Sequence, residues 1–430
     1  MIAHVPSQHI DSYYAATAIG LRDYAPLKAD VSCDVCVIGG GFTGLSTALH
    51  LAERDYEVVL VEAERIGWGA SGRNGGQMST GQRKDVLQLE KIVGLEDAKL
   101  LWELAEEAKA TVRERIKRHN IDCDLRPGIL HVAHKPREEE FLHRYAEVLQ
   151  TRYNYKHARA VSRDEVAEML GTHIYYGGKL DTGAGHLHPL NYALGLARSA
   201  GTAGAKLYEN SRVQRLEARA NGSDVHLADG KVHARYVVLA CNAYLGRLEP
   251  RINGKIMPIN NFMLATEPLG EARARSLVRD DVAVLDTKFV VDYYRLSADR
   301  RLLFGGGENY TSRFPSDIKR FVRKYMLRVY PQLADARIDY AWGGTLAVTM
   351  NRLPTFGRLD GDVYYAQGYS GSGVALASLA GKLIAEAIAG TAERFDVFTR
   401  IPRRTFPGGT LLRWPGLVLG MLYYGLRDKL

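Results

Sequence analysis

The feature that most constrains the fold is a glycine-rich turn, GGGFTG at residues 39–44. The run before it, CDVCVIGG, has the apolar and β-branched character of a strand, and TGLSTALHLAER after it carries apolar residues at helical spacing. A second apolar run, YEVVLVEA, follows. A strand, a helix and a strand in this order predict a βαβ unit and therefore a parallel sheet.

The turn also fits the pattern G-x-G-x-x-G at the junction of a strand and a helix. Gly39 permits the tight turn, Gly41 lets a pyrophosphate approach the helix N-terminus, and Gly44 lets the helix and strand pack closely. Glu62 stands at the end of the second strand, where a carboxylate can accept hydrogen bonds from ribose hydroxyls. The pattern predicts a dinucleotide-binding site.

A second glycine cluster, GYSGSG at residues 368–373, favours FAD over NAD. It opens the last long helical run, and the partial positive charge of a helix N-terminus can stabilise the negative charge of a reduced flavin. A further strand and turn, YVVLACN, suit an FAD fold. An NAD domain would continue with regular βαβ units, whereas a long helical pattern follows residue 85. We predict FAD.

Composition restricts the partners and the location. The chain has 430 residues, 46% of them hydrophobic, and a formal charge of +8. Its densest clusters of lysine and arginine, at 113–118 and 318–324, lie in helical patterns, so we expect no nucleic acid partner. The four cysteines and the polar start predict a reducing, cytoplasmic location. The apolar stretch at 411–426 is shorter than the ~20 residues of a spanning helix, so membrane association is not expected.

The order of the patterns predicts an α/β (α+β) fold with two domains. The first is a Rossmann-like FAD-binding domain, and the second is a substrate domain built on a mostly antiparallel sheet. The predicted boundaries are 28–90, 155–250 and 340–390 for the discontinuous FAD-binding domain, 91–154 and 251–339 for the substrate domain, and 391–430 for a C-terminal tail.

Motifs spread along the chain carry a resemblance to a known group of enzymes. They include SYYAA at 12–16, IGWGASGRNGGQ at 66–77, RPGIL at 126–130, GHLHPLN at 185–191, DYYRLSADRRLLFGGG at 292–307 and QGYSGSGV at 367–374. With these the chain resembles the D-amino-acid-oxidase-like superfamily of FAD-dependent oxidoreductases, and within it the γ-glutamylputrescine oxidases. The resemblance implies that the loop GASGRNGGQ lies beside the flavin. We expect FAD to bind to the protein without a covalent bond.

The motifs and the resemblance together give a set of expected cofactor contacts. They are Gly39, Gly41, Phe42, Thr43, Gly44, Glu62, Ala63, Gly69, Ser71, Gly72, Arg73, Asn74, Gly75, Gly76, Gln77, Val213, Ala240, Asn242, Tyr369, Ser370, Gly371, Ser372 and Gly373.

The candidate catalytic residues are Tyr293, Tyr294 and His188. The two tyrosines can wall a substrate pocket or form an ordinary cross-strand pair; neighbouring strand residues point to opposite faces, so only one of them should face the flavin. His186 and His188 lack a third ligand at metal spacing, and Cys33 and Cys36 suit core packing, so no metal is expected.

A departure from the superfamily pattern concerns the substrate. Leu346 stands where the resemblance would place the arginine that holds an α-carboxylate, and Leu303 where related enzymes carry an oxygen-activating lysine. We therefore expect an unsubstituted amine at the reacting end. The predicted reaction is oxidation of a primary amine, γ-glutamylputrescine, to an aldehyde with release of ammonia and hydrogen peroxide, with oxygen as the acceptor. The alternative is a flavin dehydrogenase that oxidises a secondary amine or amino acid with another acceptor; the oligomeric state is not predicted.

Overall fold

The computed structural model describes residues 8–309, 313–360, 362–410, 413 and 415. The strands within this part are β1 (Val31–Ile38), β2 (Val58–Val61), β3 (Gln77–Met78), β4 (Arg126–Val132), β5 (Ala158–Val161), β6 (Gly178–His186), β7 (Lys206–Tyr208), β8 (Arg215–Arg219), β9 (Gly222–His226), β10 (Lys231–Leu239), β11 (Met257–Thr266), β12 (Ala283–Asp286), β13 (Tyr293–Leu296), β14 (Leu302–Asn309), β15 (Ile338–Val348), β16 (Thr355–Leu359) and β17 (Val363–Gln367).

The helices are α1 (Tyr13–Ala16), α2 (Phe42–Ala52), α3 (Val86–Val93), α4 (Leu95–Arg118), α5 (Pro136–Arg152), α6 (Arg163–Leu170), α7 (Pro189–Thr202), α8 (Pro250–Asn253), α9 (Glu271–Leu277), α10 (Ile318–Val329), α11 (Gly373–Ile388) and α12 (Glu393–Thr399). Short 3₁₀ helices lie at Ala70–Gly72, Asn242–Tyr244 and Pro331–Leu333.

The first sheet has the strand order β16-β17-β10-β1-β2-β7. Strands β17, β10, β1, β2 and β7 run parallel, and β16 and the β8–β9 hairpin add antiparallel edges. Strand β1, helix α2 and strand β2 form the predicted βαβ unit. The closing strand β17 returns beside β10 and leads into α11, as the sequence predicted.

Helices α2, α7 and α11 pack in one hydrophobic core with α4. The crossing of α2 and α11 is close, because a Cβ on Gly381 would lie 2.6 Å from the Cβ of Ser46. The Ser46 hydroxyl also donates to the carbonyl of Ser378 across this contact at 2.6 Å. The crossing brings the N-termini of α2 and α11 to the same end of the parallel strands.

The second sheet has the order β15-β11-β14-β13-β12-β4-β6-β3, with β5 beside β6. Only the β4–β12 pair is parallel among the described pairs of this sheet, which confirms the predicted antiparallel character. One face of this sheet packs on α6, α9 and α10 around a second core. The opposite face lies over the C-terminal end of the first sheet's parallel strands.

The strands do not follow the predicted domain boundaries. Strands β5 and β6 belong to the second sheet although 155–250 was predicted for the FAD-binding domain, and the same is true of β15 within 340–390. Helix α4, predicted within 91–154 of the substrate domain, packs on the first core. We therefore propose that α4 be counted with the first domain and β3, β5, β6 and β15 with the second.

The predicted tail contains one described helix, α12, while the apolar stretch 411–426 lies outside the described residues except for 413 and 415. Arg413 donates to the carbonyls of Asn253 and Ile256, each at 3.0 Å. In the part of the chain that the structure describes, no helix combines the length and apolarity needed to cross a membrane.

Buried histidines predict a loss of stability in acid. Burial lowers the pKa of His50, His131, His186 and His188 to about 3 in each case. The unfolded chain binds these protons near pH 6.5, so the stability is complete above that pH and is lost as the pH falls from 6.5 towards 3. Each histidine contributes a slope of about 1.4 kcal/mol per pH unit within this window.

Urea denaturation at pH 7.5, 6.0 and 5.0 checks this slope. His50→Asn should reduce the proton uptake on unfolding by about one proton, because the unfolded chain then has one such histidine fewer. His157→Asn, at an exposed position, is the matched control and should leave the pH dependence of the free energy of unfolding unchanged. An unchanged slope in His50→Asn would contradict the account.

Candidate active site

A cavity of about 910 Å³ lies between the ends of the parallel strands and the facing side of the second sheet. Its volume is at the upper end of the range for small-molecule sites. The predicted cofactor contacts that line it are Gly39, Gly41, Phe42, Thr43, Glu62, Ala63, Gly69, Ser71, Arg73, Asn74, Gly75, Gln77, Val213, Ala240, Asn242, Tyr369, Ser370, Gly371, Ser372 and Gly373. The fold thus brings together segments that are up to about 330 residues apart in sequence, from Gly39 to Gly373.

Two helix N-termini open on this cavity. Helix α2 has Gly41 as its N-cap, and α11 has Ser372; neither cap residue makes a side-chain capping hydrogen bond. The first N–H groups of a helix lack partners within it, so a helix N-terminus that opens on a cavity is a site for an anionic group. The arrangement suits a pyrophosphate at α2 and a negatively polarised ring edge at α11.

Glu62 lines the cavity immediately after β2. Its carboxylate accepts hydrogen bonds from the N–H groups of Gly40, at 2.6 Å, and Glu64, at 2.9 Å. Burial raises the pKa of Glu62, while these two N–H groups oppose the rise. The backbone therefore orients the carboxylate at the position where a ribose diol can donate to it.

The loop Gly69–Gln77 is held beside the glycine turn by its own side chains. Ser71 Oγ accepts a hydrogen bond from the N–H of Phe42 at 3.0 Å, which links the loop to α2. The amide of Asn74 donates to the carbonyls of Ala70 and Ser71 and accepts from the N–H of Gly76. Gln77 lines the cavity too, and its amide donates to the carbonyl of Val284 at 2.9 Å. The side-chain N–H groups of Asn74 and Gln77, both predicted to contact the cofactor, thus donate to carbonyl groups of the protein.

Arg73 brings a buried side-chain donor to this loop. Its guanidinium stacks on Trp68 at 3.9 Å and donates to the carbonyls of Trp68 and Gly343 at 2.6 and 3.2 Å. Nη2 is buried and has no hydrogen-bond partner within the described chain. Burial also lowers the pKa of Arg73. An unpartnered buried guanidinium N–H is costly, so this atom suits an acceptor on a bound cofactor.

Three predicted contacts are packing positions instead. Gly44, Gly72 and Gly76 do not line the cavity, and a Cβ on each would come 1.9, 2.2 and 2.0 Å from a backbone oxygen, respectively. The oxygen near Gly44 is that of Gly39, as expected for close packing of helix and strand. Glycine is needed at these three positions because backbone approaches backbone, and this packing accounts for them without contact with a cofactor.

Tyr293 and Tyr294 point to opposite faces of the second sheet. Tyr293 lines the cavity, and its hydroxyl donates to Oδ1 of Asn261. Its ring crosses Gly305, where a Cβ would lie only 2.1 Å from the ring. Tyr294 is buried in the second core, with its ring stacked on Phe304 at 5.4 Å. The geometry supports a site role for Tyr293 only, and corrects the prediction for Tyr294.

His188 does not line the cavity either. It is the N-cap of α7: Nδ1 accepts from the N–H of Asn191 at 3.1 Å, so Nε2 carries the proton and donates to Thr17 Oγ1 at 3.0 Å. Burial lowers its pKa to about 3. The imidazole is a buried, neutral capping group, which corrects its assignment as catalytic.

The residues considered as metal ligands have other contacts. Nε2 of His186 is 2.7 Å from the carbonyl oxygen of Asp281, and Cys33 and Cys36 are free thiols in or beside the core under the first sheet. Within the described ranges, no group of three or more His, Cys, Asp or Glu side chains is arranged to hold a metal ion.

Sequence patterns missed several residues of the cavity wall. Asn261, Lys179 and Asp181 line it, and so does a segment from Ser79 to Asp85. The one available signal was in KLDTG, where Lys179 and Asp181 stand two apart and so share one face if the segment is a strand. Arg295, the residue after Tyr294, does not line the cavity and donates to the carbonyl of Gly75 at 2.9 Å.

The profile of the family described as "FAD dependent oxidoreductase" matches residues 34–387. The chain belongs to this family of FAD-dependent oxidoreductases. FAD is therefore its cofactor, as predicted. The chain is 44% identical to gamma-glutamylputrescine oxidoreductase of Escherichia coli strain K12, over 99% of both chains. It is 38% identical to the probable oxidoreductase OrdL of Haemophilus influenzae, over the whole length of both.

Solved structures share the fold of this oxidoreductase. Glycine oxidase from Geobacillus kaustophilus has a TM-score of 0.73 at 22% identity, covering 87% of this chain and 99% of its own. L-proline dehydrogenase from P. horikoshii has a TM-score of 0.70 at 21% identity, covering 89% of this chain and 96% of its own. They confirm the predicted Rossmann-like fold with a second, sheet-rich domain.

The wall residues can hold FAD along its whole length. Glu62 suits the ribose of the adenine end, the α2 N-terminus suits the pyrophosphate, and Arg73 with the α11 N-terminus suits the flavin end. When bound, FAD supplies the acceptor for the two electrons and the hydrogen taken from a substrate C–H bond. The protein's own part is to orient that bond and to keep water from the site.

Proposed function

We propose that this oxidoreductase oxidises the primary amine of γ-glutamylputrescine. The carbon that bears the amine loses a hydride and the nitrogen loses a proton, and hydrolysis of the resulting imine gives the aldehyde and ammonia. With oxygen as the electron acceptor, the balance is one amine, one oxygen and one water to one aldehyde, one ammonia and one hydrogen peroxide.

The observation that carries this proposal is an apolar wall at residue 346, the position where the resemblance would place a carboxylate-binding arginine. Leu346 lines the cavity and pairs across the sheet with Ile259, which lines it too. Gly344, two residues earlier on the same face, pairs with Asn261, the hydrogen-bond partner of Tyr293. An aliphatic wall cannot bind an α-carboxylate, whereas it can pack against the methylene chain of a diamine.

The name of the relative at 44% identity over 99% of both chains supports the same substrate. That relative is called an oxidoreductase, and its name is silent on the acceptor. Oxygen as the acceptor is therefore part of our proposal, and so is the aldehyde product.

An aerobic assay of the purified holoenzyme with γ-glutamylputrescine tests the reaction. We expect aldehyde, ammonia and hydrogen peroxide in equal amounts and an equal uptake of oxygen. Reduction of FAD without reoxidation by oxygen would instead support the alternative, a dehydrogenase with another acceptor. Absence of reaction with γ-glutamylputrescine, together with turnover of glycine, would overturn the proposed substrate.

A further inference from the structure

The cavity extends beyond Tyr293 to a charged pair on strand β6. Lys179 and Asp181 both line this end, and their side chains are only 9% and 4% exposed. Charged side chains are rarely buried to this extent unless they are paired. Neither residue contributes to the FAD-binding features described above.

The pair leaves hydrogen-bonding capacity unused. Nζ of Lys179 lies 3.9 Å from Oδ2 of Asp181, too far for a hydrogen bond, and neither atom has another polar partner among the described residues. Oδ1 of Asp181 is fully engaged, since it accepts from the Tyr155 hydroxyl and from the N–H groups of Gly183 and Ala184. Burial lowers the pKa of Lys179, and Asp181 opposes this effect.

A neighbouring buried lysine, Lys109, differs from Lys179 because its ammonium has close polar partners. Lys109 does not line the cavity, and its ammonium contacts Thr80 Oγ1 at 2.6 Å, the Tyr155 hydroxyl at 3.0 Å and Glu106 at 2.9 Å. The two hydroxyls accept hydrogen bonds from the ammonium, and the Glu106 carboxylate forms an ion pair with it. Lys179 is also buried, at 9% exposure against 2% for Lys109, but its ammonium lies 5.8 Å from the centre of the Tyr145 ring and donates to no hydroxyl or carboxylate among the described residues. Lys179 and Tyr145 both line the cavity.

The sheet register fixes the distance between the charged pair and Tyr293. Tyr293 pairs with Leu285, Leu285 with His131, and His131 with Lys179, and all four line the cavity. Three strand spacings give about 14 Å between the backbones of Tyr293 and Lys179. The nine bonds from the reacting nitrogen of γ-glutamylputrescine to its α-carbon span about 11 Å when extended. The remaining distance is within reach of the Lys179 side chain.

We infer that Lys179 and Asp181 bind the amino-acid head of the substrate, with Lys179 donating to the α-carboxylate and Oδ2 of Asp181 accepting from the α-ammonium. A zwitterion on the cavity side of the pair can place its carboxylate against Nζ and its ammonium against Oδ2, so that each charge meets its opposite. This inference rests on the proposed function and assigns the residues that distinguish a glutamylated diamine from a free one.

Two substrate analogues separate the two contacts. N-glutarylputrescine lacks the α-ammonium, and N-(4-aminobutanoyl)putrescine lacks the α-carboxylate. Lys179→Met should raise KM by about 10- to 100-fold for γ-glutamylputrescine and glutarylputrescine and leave KM for the aminobutanoyl compound unchanged. Asp181→Asn, which keeps the acceptor Oδ1, should raise KM similarly for γ-glutamylputrescine and the aminobutanoyl compound only.

Lys156→Met is the matched control, because it removes an exposed lysine and should change none of these values. The flavin spectrum and thermal unfolding of each variant establish that it is folded. Equal losses on all three substrates would mean that the pair is only structural and would overturn the inference, as would unchanged KM values. If the wild-type enzyme fails to oxidise γ-glutamylputrescine at all, the proposed function fails instead.

Discussion

Replacing Leu346 with arginine is expected to lower kcat/KM for γ-glutamylputrescine by about 100-fold, because like charges ~6 Å apart at the site repel by about 3 kcal/mol. Leu346 lines the cavity two residues from Gly344, whose partner Asn261 contacts Tyr293. The longer side chain also fills space that the diamine needs. Steady-state kinetics of the purified variant provide the measurement.

The same variant should gain a property that misfolding cannot produce. A guanidinium at position 346 can form a bidentate pair with a carboxylate, so acetate or glycine should inhibit Leu346→Arg more strongly than the wild type. Leu346→Met conserves volume and apolarity and should keep most of the activity. Full activity of Leu346→Arg on the diamine would show that this wall does not face the reacting end.

A methyl group at Gly371 is expected to weaken FAD binding by about 10- to 100-fold, the equivalent of overpacking by 1–3 kcal/mol. Gly371 lines the cavity at the start of α11 with φ +98°, and a Cβ there would meet no protein atom within 4 Å. The methyl would therefore occupy cavity space assigned to the flavin end. Because the predicted binding is non-covalent, titration of the apoenzyme with FAD gives the dissociation constant directly.

Gly390 offers a closely matched control for this change. Its φ is +99°, a Cβ would again meet nothing within 4 Å, and the residue lies after α11 away from the cavity. Gly371→Ala and Gly390→Ala should both lose about 1–2 kcal/mol of stability from backbone strain. Only the first should lose FAD affinity; an equal effect of both on affinity would contradict the assignment of the α11 N-terminus.

Local patterns predicted the first domain well because its motifs are contiguous. The turn at residues 39–44 contains within a few residues the strand end, the helix start and the close packing that a dinucleotide requires. The position of Glu62 followed from the same unit. The sequence did not show which role each glycine has. Contact with a cofactor and contact with another backbone segment both require the absence of a Cβ, so both lead to glycine.

The second domain was harder because its contacts join distant segments. The stretch DTGAGH within strand β6 has little strand character in the sequence, because glycine lowers β-propensity. The structure shows why it is a strand: a Cβ on Gly178 or Gly185 would lie 2.6 Å from a backbone oxygen of β4. The pairing of β4 with both β6 and β12 places Lys179 in one row with Tyr293, and no local pattern encodes that register.

The central claim is that one cavity has two ends. FAD and an apolar wall lie at the end where the amine reacts, and a charged pair that binds the head group of the substrate lies at the other. Anaerobic mixing of the holoenzyme with candidate substrates tests this claim most directly, because bleaching of the bound flavin needs no acceptor. We expect γ-glutamylputrescine to bleach the flavin at much lower concentrations than putrescine, and glycine and D-alanine to leave it oxidised. Rapid bleaching by glycine or D-alanine, with none by γ-glutamylputrescine, would contradict the account.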